Sequence, residues 1–273
     1  MSSVRPLLHA FIASSFLIAL PFATARAADP ADVASRLKDI FAKQGVELQW
    51  KGVSGDDSSM KLSGVTASAA GDETQVAIGD VTLSGISEDG ATYVVGNITL
   101  PAYSAEQEGV TVGMSGVSVS GLRLPTPDSS DPLDSVMMYD KSEIGEISVK
   151  RGGKQVFDLS NFHVDVKRPR GDDPLEFSAA AESFSADLSE TADPESEAAI
   201  RALGYQNVQG SFAMAGSWAP KTGEGSLDTY KLTVRNAGAF DISLKMSGCT
   251  PEFIRSLHAI RESSRRVLVA NPY

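Results

Sequence analysis

Gly79-Asp80-Val81-Thr82-Leu83-Ser84-Gly85-Ile86 is the phrase whose reading decides the fold. It returns as Gly96-Asn97-Ile98-Thr99-Leu100 and as Ser115-Gly116-Val117-Ser118-Val119-Ser120-Gly121-Leu122, with a fainter copy at Gly145-Glu146-Ile147-Ser148-Val149. Each copy alternates aliphatic residues with Ser and Thr, the pattern of a strand with one buried and one wet face. The stretch Val46 to Leu124 is therefore read as β.

The apolar positions change parity across two glycines. Val76 and Ile78 are even and Val81 and Leu83 odd, with Gly79 between; Val110, Val112 and Met114 are even and Val117 and Val119 odd, with Gly116 between. One extra residue bulged out at each glycine would return both halves to one face and bend the strand. Turn-forming tips at Ala70-Gly71-Asp72, Glu88-Asp89-Gly90 and Glu106-Gln107-Glu108-Gly109 space the copies as an antiparallel meander. A β-helix with one copy per coil is the alternative, and it would keep a stricter period.

Residues 1–27 read as a cleaved signal peptide: Arg5 in the n-region, an apolar run from Leu7 to Phe22, and Ala25-Arg26-Ala27 at the cleavage site. The apolar run is short for a membrane span and contains Pro21. The expected location is a bacterial periplasm, with no transmembrane anchor after cleavage. The chain carries 35 acidic against 24 basic residues, which argues against nucleic acid as an electrostatic partner. Its sole cysteine, Cys249, excludes an intramolecular disulfide, so apolar burial has to stabilise the fold unaided.

After the leader, Asp29 caps a helix that Pro30 begins and Gly45 closes, with Val33, Leu37, Ile40 and Phe41 on one stripe that docks on the sheet. A proline-rich connector follows the repeats, and a sub-boundary is placed near residues 125–140. Its Asp128, Asp131 and Asp134 match no calcium-loop spacing, and no metal is expected there. Ile144 to Lys150 and Gln155 to Val166 form a hairpin through Gly152-Gly153. Leu175 to Ala181 and Phe184 to Leu188 alternate on opposite parities, a second bulge signature. A short helix is expected over 194–203, then a three-strand meander over Val208 to Met246, then a helix over 251–260. The fold class is thus mainly β, or α+β: one domain over residues 28–273, a long bent antiparallel meander sheet with a few short covering helices.

Chemistry is sparse. After the leader only His163 and His258 remain, too few and too separate for a zinc site or a histidine base beside a nucleophile. Gly116-Val117-Ser118-Val119-Ser120 misses the nucleophile-elbow spacing. No phosphate loop or dinucleotide fingerprint occurs. No catalytic residue and no cofactor is assigned, and the chain is read as non-enzymatic. Lys150, Arg151, Lys154, Lys167, Arg168 and Arg170 gather around the central hairpin and are the candidate contact for an anionic headgroup or a partner. The competing reading makes them solvated strand ends.

The phrase Gly-x-Val-Thr-Leu-Ser-Gly-Ile, with Gly210-Ser211-Phe212-Ala213-Met214-Ala215-Gly216-Ser217-Trp218 and Gly238-Ala239-Phe240-Asp241-Ile242-Ser243-Leu244, resembles the AsmA-like and YdgA-like Gram-negative envelope proteins. The resemblance is one of strand texture over most of the chain, without a diagnostic motif. It implies large curved periplasmic sheets, with envelope maintenance or lipid handling for some members.

Two functions remain open, and the first is the default because three helices suffice to cover the sheet. In one, the protein is an envelope-associated structural or interaction protein whose apolar face is covered by its helices at 30–44, 194–203 and 251–260. In the other, the concave apolar face binds or transports lipids or other amphiphiles. Whether Phe212, Met214, Trp218, Phe240 and Ile242 face helices or a cavity discriminates them.

Overall fold

The computed structural model of the protein describes residues 28–71, 75–127, 138–169, 173–190 and 204–253, with positions 129, 198, 200–202 and 256. The protein is mainly β, a long antiparallel open sheet with three short helices. The leader at 1–27, Asp128, Asp131 and Asp134, Arg170 and His258 lie outside the described residues. So does most of the two later helices, of which positions 198 and 200–202, and 251–253 and 256, are helical.

Helix α1 (Pro30–Lys43) begins where the Asp29 carboxylate accepts from the Ala31 N–H, which satisfies one of the amides left over at a helix start. It ends where Gly45 takes φ +78°. Strands β1 (Val46–Gln49), β2 (Gly52–Gly55), β3 (Ser59–Ala69), β4 (Val76–Asp89) and β5 (Thr92–Leu100) follow. Then come β6 (Tyr103–Gln107), β7 (Val110–Met114), β8 (Val117–Leu124), β9 (Lys141–Arg151) and β10 (Lys154–Lys167). Last are β11 (Leu175–Asp187), β12 (Asn207–Ala219), β13 (Glu224–Val234) and β14 (Gly238–Met246). They make one 14-stranded sheet in the order β1-β3-β4-β5-β8-β9-β10-β11-β12-β13-β14, with β2 also on β3. An open antiparallel sheet excludes the β-helix. The meander is interrupted once, because β6 and β7 form a side hairpin and β7 docks on β9 beside β8.

The parity changes have two mechanisms. Near Gly79 and between Ala181 and Phe184 the register slips, as a bulge requires. At Gly116 it does not, which corrects the expected extra residue there. Met114 and Val117 keep one register against Ile147 and Ile144, and Gly116 falls opposite Gly145. Both strands change parity together. The same happens in a row the sequence reading missed: Gly85 lies opposite Gly96, which lies opposite Gly121, with no slip. Gly121 adopts φ +68° and is so close to Asp140 that a Cβ would sit 2.0 Å from the carboxylate. A side chain is excluded there on both counts. The apolar series Leu83/Ile86, Val95/Ile98 and Val119/Leu122 is thereby kept on one side of the sheet.

That side packs against α1. Val33, Ala34, Leu37 and Ile40 are buried against Met60, Leu62, Leu83, Val95, Leu122 and Leu124. Burying the three large helix side chains contributes about 5–9 kcal/mol as an upper estimate. Arg36, midway along the helix, pins it to the sheet: Nη1 donates to the Ala91 carbonyl at 2.7 Å, Nη2 to Asp32 at 2.9 Å, and the guanidinium stacks 4.2 Å over the Tyr93 ring. Burial, and then the Asp32 carboxylate, push the Tyr93 phenol up from its ordinary value.

Candidate functional site: a continuous apolar face

Residues directly opposite in antiparallel strands share a face, so the registers can be read as rows across the sheet. One row starts under α1 with Met60, Leu83 and Ile98. It passes through Val119, Ser142, Val164 and Ala179. It ends with Met214, Tyr230 and Ile242 at the far edge. The row crosses ten strands with Ser142 as its single polar member. At about 4.8 Å per strand it is about 43 Å long. A parallel row carries Leu100, Val117, Ile144, Phe162, Ala181, Phe212, Leu232 and Phe240. On the other side, the residues one step along read Lys61, Thr82, Thr99, Ser118, Glu143, His163, Ala180, Ala213, Lys231 and Asp241. The sheet is amphipathic from edge to edge.

Two of the recesses among the described residues lie along this row on the apolar face. Beneath α1, Leu37 and Phe41 oppose Leu62, Ile98, Val119 and Leu122 around about 310 Å³. Toward the far edge, Leu175, Phe177, Met214, Trp218, Leu244 and Met246 line a groove of about 480 Å³. Val119 and Ser142 line the first and Met214 the second, and along the row only Val164 and Ala179 stand between them. The Trp218 Nε1–H donates to the Cys249 carbonyl at 2.6 Å, which holds the segment after β14 against the end of this groove. Cys249 itself is half-buried and lines the groove.

Of the three helices expected to cover this face, only α1 is described in full; Phe253, in the first turn of the last, lines the groove, and the rest of that helix and most of the one at 194–203 lie outside the described residues. Helix α1 shields the strands from β3 to β8, whereas Phe240 is 54% and Ile242 37% exposed, and Met214 and Trp218 face the groove. Phe212 is half-buried, edge-on to Tyr230 with ring centroids 5.4 Å apart. Leu175, Phe177, Leu244 and Met246 were not singled out from sequence; their alternation was visible, but the registers that gather four strands around one groove were not.

The basic residues do not form one cluster, which corrects the sequence expectation. Lys154 and Lys167 are the two ends of a 14-residue strand, about 40 Å apart at 3.3 Å per residue. Lys150 and Arg151 end β9 at the Lys154 end. There Lys154 pairs with Asp187 at 2.5 Å, and that ion pair, followed by the Ser189 hydroxyl, holds the Asp187 carboxyl down at about 2. At the opposite end Lys167 pairs with Glu176 at 3.0 Å and Arg168 with Asp140 at 2.6 Å.

Comparison of the chain with protein-family models, curated proteins and solved structures gives no match in any of the three. Among the described residues no group of His, Cys, Asp and Glu is placed to hold a metal ion, and no helix is long and apolar enough to cross a membrane. His163 stands on the polar face opposite Glu143 and Ala180, away from both recesses.

Proposed function

We propose that this protein is a non-enzymatic, exported amphiphile-binding module of the cell envelope, which lays acyl chains along the apolar face of its sheet. The observation that carries the reading is the row from Met60 to Ile242, apolar at every strand but one and, beyond the reach of α1, ending in the exposed Phe240 and Ile242 region of β14. A large exposed apolar surface on a soluble sheet calls for an occupant. The groove of about 480 Å³ falls within the roughly 300–1,000 Å³ of ordinary ligand sites. Beyond the strands shielded by α1 the row runs from β9 to β14, about 24 Å by strand spacing, which exceeds half of the roughly 30 Å hydrocarbon core of a bilayer, so an acyl chain fits along it. The signal-like leader and the texture shared with AsmA-like and YdgA-like proteins support the compartment and the ligand class. Of the basic residues, Arg168 follows β10 at the end where Leu175 pairs with Trp218, and headgroup contact is assigned to it, whereas Lys167 shares the polar face with Glu176.

The test is native mass spectrometry of the protein purified from its own envelope, followed by lipid extraction. Co-purifying lipid that survives mild washing is expected, and Trp218→Asp and Leu244→Asp should each remove most of it. Well-folded protein that is bare from the start, or lipid retained by both variants, overturns the reading.

A further inference from the structure

The two edges of the sheet are built differently. At one edge β3 is flanked by two four-residue strands, β1 and β2, in succession, with α1 packed nearby. Short, broken edge strands of this kind discourage pairing with another chain. At the other edge β14 runs nine residues, every one of them exposed, and pairs only with β13 among the described residues. It contains no proline, and the register slip beside it falls on β13, where Asp228 and Thr229 together oppose Ser243. Its outer row of main-chain N–H and C=O groups is thus a straight template.

The side chains of this strand are self-complementary. Phe240, Ile242, Leu244 and Met246 occupy the apolar face at 54%, 37%, 40% and 47% exposure. Asp241, Ser243 and Lys245 occupy the polar face, with the two charges placed symmetrically about Ser243. We propose that β14 is a self-association edge, at which two copies of this chain pair antiparallel about a two-fold axis through Ser243. In that register Asp241 of each copy faces Lys245 of the other, Phe240 faces Met246, and Ile242 faces Leu244. A two-fold axis through Ile242 would place Asp241 opposite Ser243 and Lys245 opposite Ala239, so the charges select Ser243. Within its own chain Lys245 lies opposite Ser226, and Asp241 opposite Lys231. Opposite charges directly across a pair favour it and like charges oppose it, and a two-fold interface counts each contact twice. The dimer would carry one apolar face from the first copy's α1 to the second's. The inference stands independently of what occupies that face.

The test is sedimentation equilibrium of the purified protein over a wide concentration range, with circular dichroism confirming that each variant is folded. A reversible dimer is expected. Lys245→Asp and Asp241→Lys should each weaken it about tenfold or more, and the double variant, which restores the charge pattern in reverse, should recover most of the loss. Register is read separately in a Cys249→Ser background. Ser243→Cys should cross-link two copies on mild oxidation, because an opposite pair lies within disulfide reach. Asp241→Cys should not, because its symmetry mate is four residues away. A monomer at all concentrations, singles that do not weaken the dimer, a double variant no better than the singles, or cross-linking by Asp241→Cys instead of Ser243→Cys would each overturn the proposal.

Discussion

Replacing Gly121 by Ala tests the kink row that keeps the apolar residues of three strands on one side. Gly121 holds φ +68°, where an L side chain costs about 1–2 kcal/mol. The new Cβ would lie 2.0 Å from Asp140 Oδ2 and 2.4 Å from its Cγ, so Asp140 has to move. Forcing an atom into an occupied site costs typically about 1–3 kcal/mol. Moving Asp140 also breaks its two hydrogen bonds from Arg168, at 2.9 and 2.6 Å, worth up to about 1 kcal/mol for a partly exposed pair. The expected destabilisation is therefore about 2–6 kcal/mol. Gly109→Ala is the control, because Gly109 has φ +76° but nothing within 4 Å of its Cβ position, leaving only the conformational cost of about 1–2 kcal/mol. The assay is urea unfolding with the slope compared between variants. Combining Gly121→Ala with Asp140→Ala, which removes the two closest approaches, should recover about 1–3 kcal/mol as a coupling. If Gly121→Ala costs no more than Gly109→Ala, or the coupling falls below about 0.5 kcal/mol, the role given to this row is wrong.

Arg36→Ala should destabilise by about 2–4 kcal/mol, since it removes a charged hydrogen bond to the Ala91 carbonyl and the stacking over Tyr93. Amide exchange should show the loss first in α1; unchanged protection there would refute the latch. The Asp187 carboxyl is held at about 2 by Lys154 and Ser189, below its ordinary value of about 3.9. A depressed carboxylate stabilises the fold above its unfolded value, so that contribution is lost as pH falls from about 4 to about 2. Lys154→Met should raise the Asp187 midpoint in a carbon-13 titration, and a midpoint that stays at about 2 would show that the ion pair is not its cause.

Much of the fold is legible along the chain because a strand states its own faces by alternation. The helix at Pro30–Lys43, the hairpin at Gly152-Gly153 and the closing meander from Asn207 to Met246 all follow from local capping, turn and period-two signals. The parity change at Gly79 was legible for the same reason. That at Gly116 was misread, since an inserted residue and a kink shared with Gly145 leave the same trace in one strand and differ only in the partner's register.

The candidate site was less legible. Phe212, Met214, Trp218, Phe240 and Ile242 could be named as apolar, but exposure depends on what packs above them. The basic residues looked clustered because Lys150, Lys154 and Lys167 are near in number, yet a strand of 14 residues separates two of them by its full length. What the sequence by itself determined is the amphipathic character of each strand, since a period of two is a property of a single extended chain. Only the tertiary structure decided that the apolar halves of ten strands join into one row, that α1 shields its beginning, and that among the described residues β14 pairs on one side alone. Those facts rest on registers between residues distant in the chain, which local alternation does not encode.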